Sequence, residues 1–213
     1  MKNWFDSFDW KLNKKSTLYP MENYHPYFAK FNPILPERFI KKFSKKNQTI
    51  FDPFHGSGST LYASLQNSRN AIGIDANPIA NLITKVKFIK FTKKDKKLVL
   101  ILIKKIELIL KNFKNLDKRD LRKDKKFGKV IPDIYNFDKW FSQIVINELA
   151  IIKYYILNSK KKNIKNILFL SFSRIIVKAS NQYSESKYVS VKKNKNILDT
   201  YSLFKNATED LID

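Results

Sequence analysis

Apolar and polar positions change their rhythm near residue 90 of this chain. Before it, short apolar or β-branched runs alternate with polar turns; after it, apolar residues recur at helical spacing between lysine clusters. Thr49-Ile50-Phe51 runs into Asp52 and a Gly56-Ser57-Gly58 turn, and Leu61, Ala63 and Leu65 then mark the sheet-facing side of a helix starting at Gly58 or Ser59. Asn67-Ser68-Arg69-Asn70 closes that helix with turn formers. Ala71-Ile72-Gly73-Ile74 reads as a second short strand ending at Asp75, so the pattern predicts a β-α-β unit. Four prolines within the 17 residues from Pro20 to Pro36 predict a loop there. Pro36 opens a helix with Phe39, Ile40 and Phe43 on its apolar side, and Asn77-Pro78 opens another carrying Ile79, Ala80, Leu82, Ile83 and Val86.

Beyond residue 90 the expectation is helical. Leu98 to Phe113 is one helix; Asn115 to Lys129, dense in lysine, arginine and aspartate, reads as a solvated or disordered connector that could equally follow phosphates. Ile131 to Ile134 is a short extended piece around Pro132. Phe137, Trp140, Phe141, Ile144, Val145, Leu149, Ile152 and Ile156 predict one long helix over 137–157, their aromatic stripe being packing. Ile164 to Lys178 is a third helix. The chain divides into an aromatic and acidic arm (1–19), the β-α-β part (20–92), a basic helical lobe (93–193) and an amphipathic tail (194–213) that looks as if the chain should continue.

The formal charge of +23 suits a phosphate backbone as partner. Lysine far outnumbers arginine and asparagine and isoleucine abound, a bias that an AT-rich genome also produces, so charge supports this partner without establishing it. With no cysteine and two histidines, disulfides, cysteine nucleophiles and a metal site are not expected. The longest apolar run, Leu98 to Ile103, is far below the ~20 residues that cross a bilayer, and no secretory signal opens the chain, so a cytoplasmic protein is expected.

The chemistry concentrates in the turn after the first strand. Gly56 and Gly58 permit a tight bend and close approach of a ligand to the backbone. A carboxylate at the end of the second strand, Asp75, is placed to accept from ribose hydroxyls; the competing reading is a cap for the next helix. Asp52 has a competing role as a turn residue and Phe54 as a core residue. His55 has no sequence neighbour that would make it a general base. The turn is neither Gly-x-Gly-x-x-Gly nor a P-loop.

Asp52-Pro53-Phe54-His55-Gly56-Ser57-Gly58-Ser59-Thr60 resembles the Asp-Pro-Phe-x-Gly-Ser-Gly-Thr loop of S-adenosylmethionine-dependent DNA amino-methyltransferases acting on cytosine N4 or adenine N6. His25-Pro26-Tyr27-Phe28-Ala29-Lys30-Phe31 is similar to their His-x-Tyr-Pro-Ala-Lys-Phe segment, and Ile72-Gly73-Ile74-Asp75-Ala76-Asn77-Pro78 to their strand-end segment. Phe172 to Asn181 is similar to a helix of the cytosine-N4 members. The resemblance covers residues 20–90 well and 135–190 weakly.

The resemblance implies a partial Rossmann-like α/β methyltransferase fold with an inserted or appended helical lobe, and S-adenosyl-L-methionine as cofactor. It implies cofactor contacts from Tyr27, Lys30, Asp52, Phe54, Gly56, Gly58, Thr60, Asp75 and Ala76. Double-stranded DNA is the implied partner, with Arg174 and Lys178 and the polar run Ser180 to Ser186 as candidate contacts, within a restriction-modification system. The (Asp/Asn/Ser)-Pro-Pro-aromatic tetrapeptide that receives the target amine in these enzymes is absent, since no Pro-Pro pair occurs. No catalytic residue is therefore assigned, and a second polypeptide carrying the tetrapeptide is a candidate partner. The rival readings are a non-catalytic DNA-binding subunit or remnant and an RNA guanine-N2 methyltransferase fragment.

Overall fold

The computed structural model describes residues 32–113, 115–184 and 187–212, together with Trp4, Phe8, Trp10, His25 and Pro26. Tyr27 and Lys30 lie outside the described residues, as does most of the arm. The chain forms two compact units, Met1–Phe88 and Ile89–Asp213. It is a mixed α/β protein with two small sheets.

In the first unit, helix α1 (Ile34–Phe43) precedes strand β1 (Thr49–Asp52), helix α2 (Ser59–Gln66), strand β2 (Asn70–Gly73) and helix α3 (Pro78–Lys87). The two strands pair in parallel, Thr49 opposite Asn70 and Asp52 opposite Gly73, so the expected β-α-β unit is present. Helix α1 starts two residues before Pro36, with Pro36 buried in its first turn. Trp4 meets Phe39 and Phe43 edge-on, each at 5.3 Å between ring centres, and Phe8 is buried beside Phe39. Ala63 is buried in α2 as expected, whereas Leu65 is 49% exposed. The inward positions after Ala63 go to Ser64, whose hydroxyl donates to Thr60 O inside the helix, so Leu65 faces outward.

The second unit consists mainly of helices. Helix α4 (Lys93–Asn112) begins five residues before Leu98, because Thr92 and Asp95 form a reciprocal capping box. Residues 115–129 do not form the solvated connector expected from their charge: Leu116, Leu121 and Phe127 are buried, and two 3-10 turns (Leu121–Lys123 and Gly128–Val130) order the stretch. The expected single helix over 137–157 is two, α5 (Phe137–Trp140) and α6 (Gln143–Leu157). The break has a tertiary cause. Trp140 O accepts from Asn181 N, and Lys139 O from the side chains of Asn181 and Ser190, so these carbonyls are spent before the helix can continue.

Helix α6 is the centre of this unit. Residues 145–152 are all buried, as in a helix packed on every side. It packs against α4, helix α7 (Lys162–Ala179) and helix α8 (Asp199–Ile212). Between α7 and α8, strands β3 (Gln182–Ser184) and β4 (Lys187–Ser190) form an antiparallel hairpin. Two adjacent buried polar residues of α6 hold distant chain. Asn147 takes the Leu121 N–H and donates to Leu116 O and Arg119 O, and Glu148 accepts from Leu198 N and Tyr201 N. Buried polar groups satisfied this way hold a single arrangement without orphaned donors.

Candidate functional site

The candidate site lies where β1 and β2 end side by side. Asp52 is the last residue of β1, and its carboxylate takes the Phe54 N–H at 3.0 Å, a local turn that leaves the Phe54 ring 84% exposed. Phe54 is therefore not a core residue. Gly56 and Gly58 have φ of 51° and 81°, the left-handed region that glycine enters without strain. Gly58 is the N-cap of α2, and no side chain caps that helix, so its first amides face the turn. Thr60 stands in the first turn of α2.

Asp75 follows β2 and joins the two strand ends. Its Oδ2 accepts from Gly56 N at 2.8 Å and its Oδ1 from Asn77 N at 2.7 Å. These N–H groups, Asn77 first and Gly56 second, hold its carboxyl below the usual aspartate range, with nearby His55 adding to the effect. Capping α3 falls to another residue, since Asn77 Oδ1 accepts from Ile79 N. Ala76 is exposed beside it. Asp52, Gly56, Gly58 and Asp75 are thus assembled at one end of the parallel pair.

A set of α3 side chains that sequence reasoning passed over holds the turn from behind. Asn81 donates to Asp75 O, Thr84 Oγ1 to Gly56 O, and Lys87 Nζ to Ser57 O at 2.6 Å. They recur every third residue, and Thr84 and Lys87 are buried. Polar residues interrupting the apolar side of α3 were the available signal. His55 is buried within this clasp, Nε2 3.2 Å from Asn81 Oδ1 and Nδ1 3.2 Å from Thr84 Oγ1, an anchoring position instead of a catalytic one. Among the described residues no cluster of metal-binding side chains occurs, and no helix is long and apolar enough to cross a membrane.

Arg174 and Lys178 lie in the second unit. The Arg174 guanidinium donates to Ala207 O and pairs with Asp210 at 3.2 Å, so it fastens α7 to α8, while Lys178 is exposed. Ser180 and Asn181 are buried and serve the hairpin and the end of α5; residues 185 and 186 lie outside the described residues.

Two parallel strands ending in a glycine turn and an acid, with helix amides that no side chain caps between them, form a β-α-β element whose polar groups converge at one end. Residues 2–86 match the family described as DNA methylase. The chain is 36% identical over 132 residues to the type II methyltransferase M.MjaII of Methanocaldococcus jannaschii, covering 59% of this chain and 25% of that protein. It is 27% identical over 161 residues to M.MvaI of Kocuria varians, covering 74% and 34%, and 50% identical over 50 residues to M.BglI of Bacillus subtilis, covering 24% and 14%. Over this part of its length the chain is similar to type II DNA methyltransferases, and it spans about a third or less of the relatives it matches. No solved structure matches it significantly.

Proposed function

We propose that the first unit is the S-adenosyl-L-methionine-binding part of a type II DNA methyltransferase with a partial Rossmann-like fold. The observation that carries this is the Gly56–Asp75 hydrogen bond, which holds the glycine turn against the strand-end acid. The residues fit the cofactor. Each Asp75 oxygen accepts one backbone N–H and keeps a lone pair for a ribose hydroxyl. Gly56 and Gly58 supply the left-handed bend that brings the turn backbone to the strand ends, and the α2 amides can meet a polar group. Asp52 is set to pair with the cofactor's ammonium through its second oxygen, and the exposed Phe54 ring to cover an apolar edge. Ala76, exposed beside Asp75, and Thr60, in the first turn of α2, are assigned to the cofactor as well, and Tyr27 and Lys30 to its methionine end.

When bound, the cofactor supplies a sulfonium methyl, and the chain's residues bind and orient it. Cytosine N4 is favoured over adenine N6 as acceptor, from the overall likeness of residues 20–90 and 172–181. Placement of the two reactants carries most of the rate of such a displacement, and the target base must leave the helix stack to be reached. The Pro-Pro-aromatic tetrapeptide is absent from these 213 residues, so this chain binds cofactor but transfers methyl groups only when a further polypeptide segment supplies the tetrapeptide. The test is calorimetry with S-adenosylmethionine alongside tritium transfer to duplex DNA. Heat with the cofactor and no transfer by the chain alone are expected; absence of heat overturns the reading.

A further inference from the structure

We infer that a lysine-lined groove in the second unit is a docking track for a nucleic-acid phosphate backbone. One wall is α4 with Leu98, Ile101 and Lys105; the other is the end of α6, with Tyr154 and Tyr155, and the turn carrying Lys160 and Lys161. Lys126 reaches in from the 3-10 region, and the groove has a volume of about 460 Å³. For its partner the inference rests on the DNA methyltransferase reading; it does not rest on the cofactor loop.

Three features point to a polyanion. Ammonium groups are gathered around aromatic rings: Lys126 Nζ lies 4.7 Å from the centre of Tyr154 and 5.5 Å from that of Tyr155, and Lys105 Nζ also lies 5.5 Å from Tyr155. Ring faces hold these cations in place without neutralising them. No carboxylate is among the lining residues; of the acids at the margin, Asp95 is paired with Lys161 at 3.0 Å and Asp124 accepts the backbone N–H groups of Lys126 and Phe127. Finally, α7 starts at this turn with no side-chain cap on its N-terminus. Like charges on apolar walls raise a local potential that a row of phosphates relieves, and the tyrosines offer faces on which an unpaired base can stack. Arg174, committed to α8, offers no comparable grouping.

The test compares two triple variants of equal charge change in the full chain. One is Lys105→Gln with Lys126→Gln and Lys160→Gln; the control is Lys42→Gln with Lys45→Gln and Lys46→Gln. Fluorescence anisotropy with a duplex and a single-stranded oligonucleotide is read across a salt series. The groove variant is expected to lose about tenfold or more in duplex affinity, and the slope of log affinity against log salt to flatten by about 0.9 for each phosphate that is no longer neutralised. Tyr155→Leu separates the two nucleic acids: a loss confined to the single strand assigns that strand to the groove, and no loss leaves duplex phosphates there. Equal losses in the two triple variants, no binding by the unmodified chain, or equally tight groove-dependent binding of polyglutamate would overturn the inference. Cofactor calorimetry on the same variants separates the two readings, because groove failure with intact cofactor heat leaves the proposed function standing.

Discussion

The backbone N–H of Gly56 donates to the Asp75 carboxylate across 2.8 Å, so the turn after β1 is clipped to the acid after β2. The two residues are 19 apart in the chain, and the bond continues the backbone ladder in which Ile74 N donates to Asp52 O and His55 N to Ile74 O. The bond sets the entrance of the candidate site: it orients the carboxylate and fixes where the glycine backbone stands.

Asp75→Ala is predicted to weaken S-adenosylmethionine binding about tenfold or more in calorimetry, through loss of charge-assisted hydrogen bonds to ribose. Some stability should be lost as well, because the part-buried Gly56 amide loses its acceptor while the exposed Asn77 amide can turn to water. Asp75→Asn keeps one acceptor oxygen and should retain part of the affinity. Unchanged binding in Asp75→Ala would remove the ribose assignment.

Gly58 tests the turn from the side of packing. Its φ is 81°, and a Cβ there would stand 2.7 Å from Thr84 Oγ1. Gly58→Ala should cost about 1–3 kcal/mol from backbone strain and overpacking together. Adding Thr84→Ala removes the nearest atoms but not the strain, so the double variant should be more stable than the sum of the single losses predicts. Additive losses measured by urea unfolding would show that the contact with Thr84 is not what excludes a side chain.

The β-α-β unit was legible because its signals are local: a short apolar run, glycines at fixed spacing and an acid at a strand end. Three features of the second unit were not, for a shared physical reason. Leu116, Leu121 and Phe127 sit among charges; the first two are held through Asn147, more than 25 residues beyond Leu121, and Phe127 packs edge-on against Tyr154. The α5–α6 break depends on Asn181 and Ser190, about 40 and 50 residues after the carbonyls they bind. Arg174 reads as a free cation until α8 is folded against it. Behind the glycine turn the missed residues, Asn81, Thr84 and Lys87, interrupt the apolar side of α3, and what they hold shows only once that helix faces the turn.

Asp95 gives a prediction in pH. Its hydrogen bond from Thr92 and its pairing with Lys161 lower its pKa from 3.8 to about 2. A carboxyl with a depressed folded pKa contributes stability above its unfolded value and loses it as pH falls through the folded one. The stability difference between the unmodified chain and Asp95→Asn should therefore be constant above about pH 5 and shrink between about pH 4 and pH 2. A difference that persists below pH 2 would mean that the aspartate acts through packing and not through its charge. Thr92→Ala, which removes the other half of the capping box, should cost about 1 kcal/mol at neutral pH.

Glu148 carries the prediction of opposite sign. It is fully buried in α6 and accepts from Leu198 N and, at 2.9 Å, from Tyr201 N, holding the start of α8 from another helix. Glu148→Ala leaves these amides without their acceptor and opens a hole, at a cost of about 3 kcal/mol. Amide exchange in α8 should rise before that of α6 or α7. Burial outweighs the amide hydrogen bonds and raises the Glu148 pKa, so its ionised form is the one the fold penalises. A group with a raised folded pKa stabilises most below its unfolded pKa and loses that contribution as pH rises through the folded value. Against Glu148→Gln, which cannot titrate, the unmodified chain should gain stability as pH falls from 7 toward about 4. If unfolding curves show it losing ground over that interval, the amides at the start of α8 outweigh the cost of burying the charge.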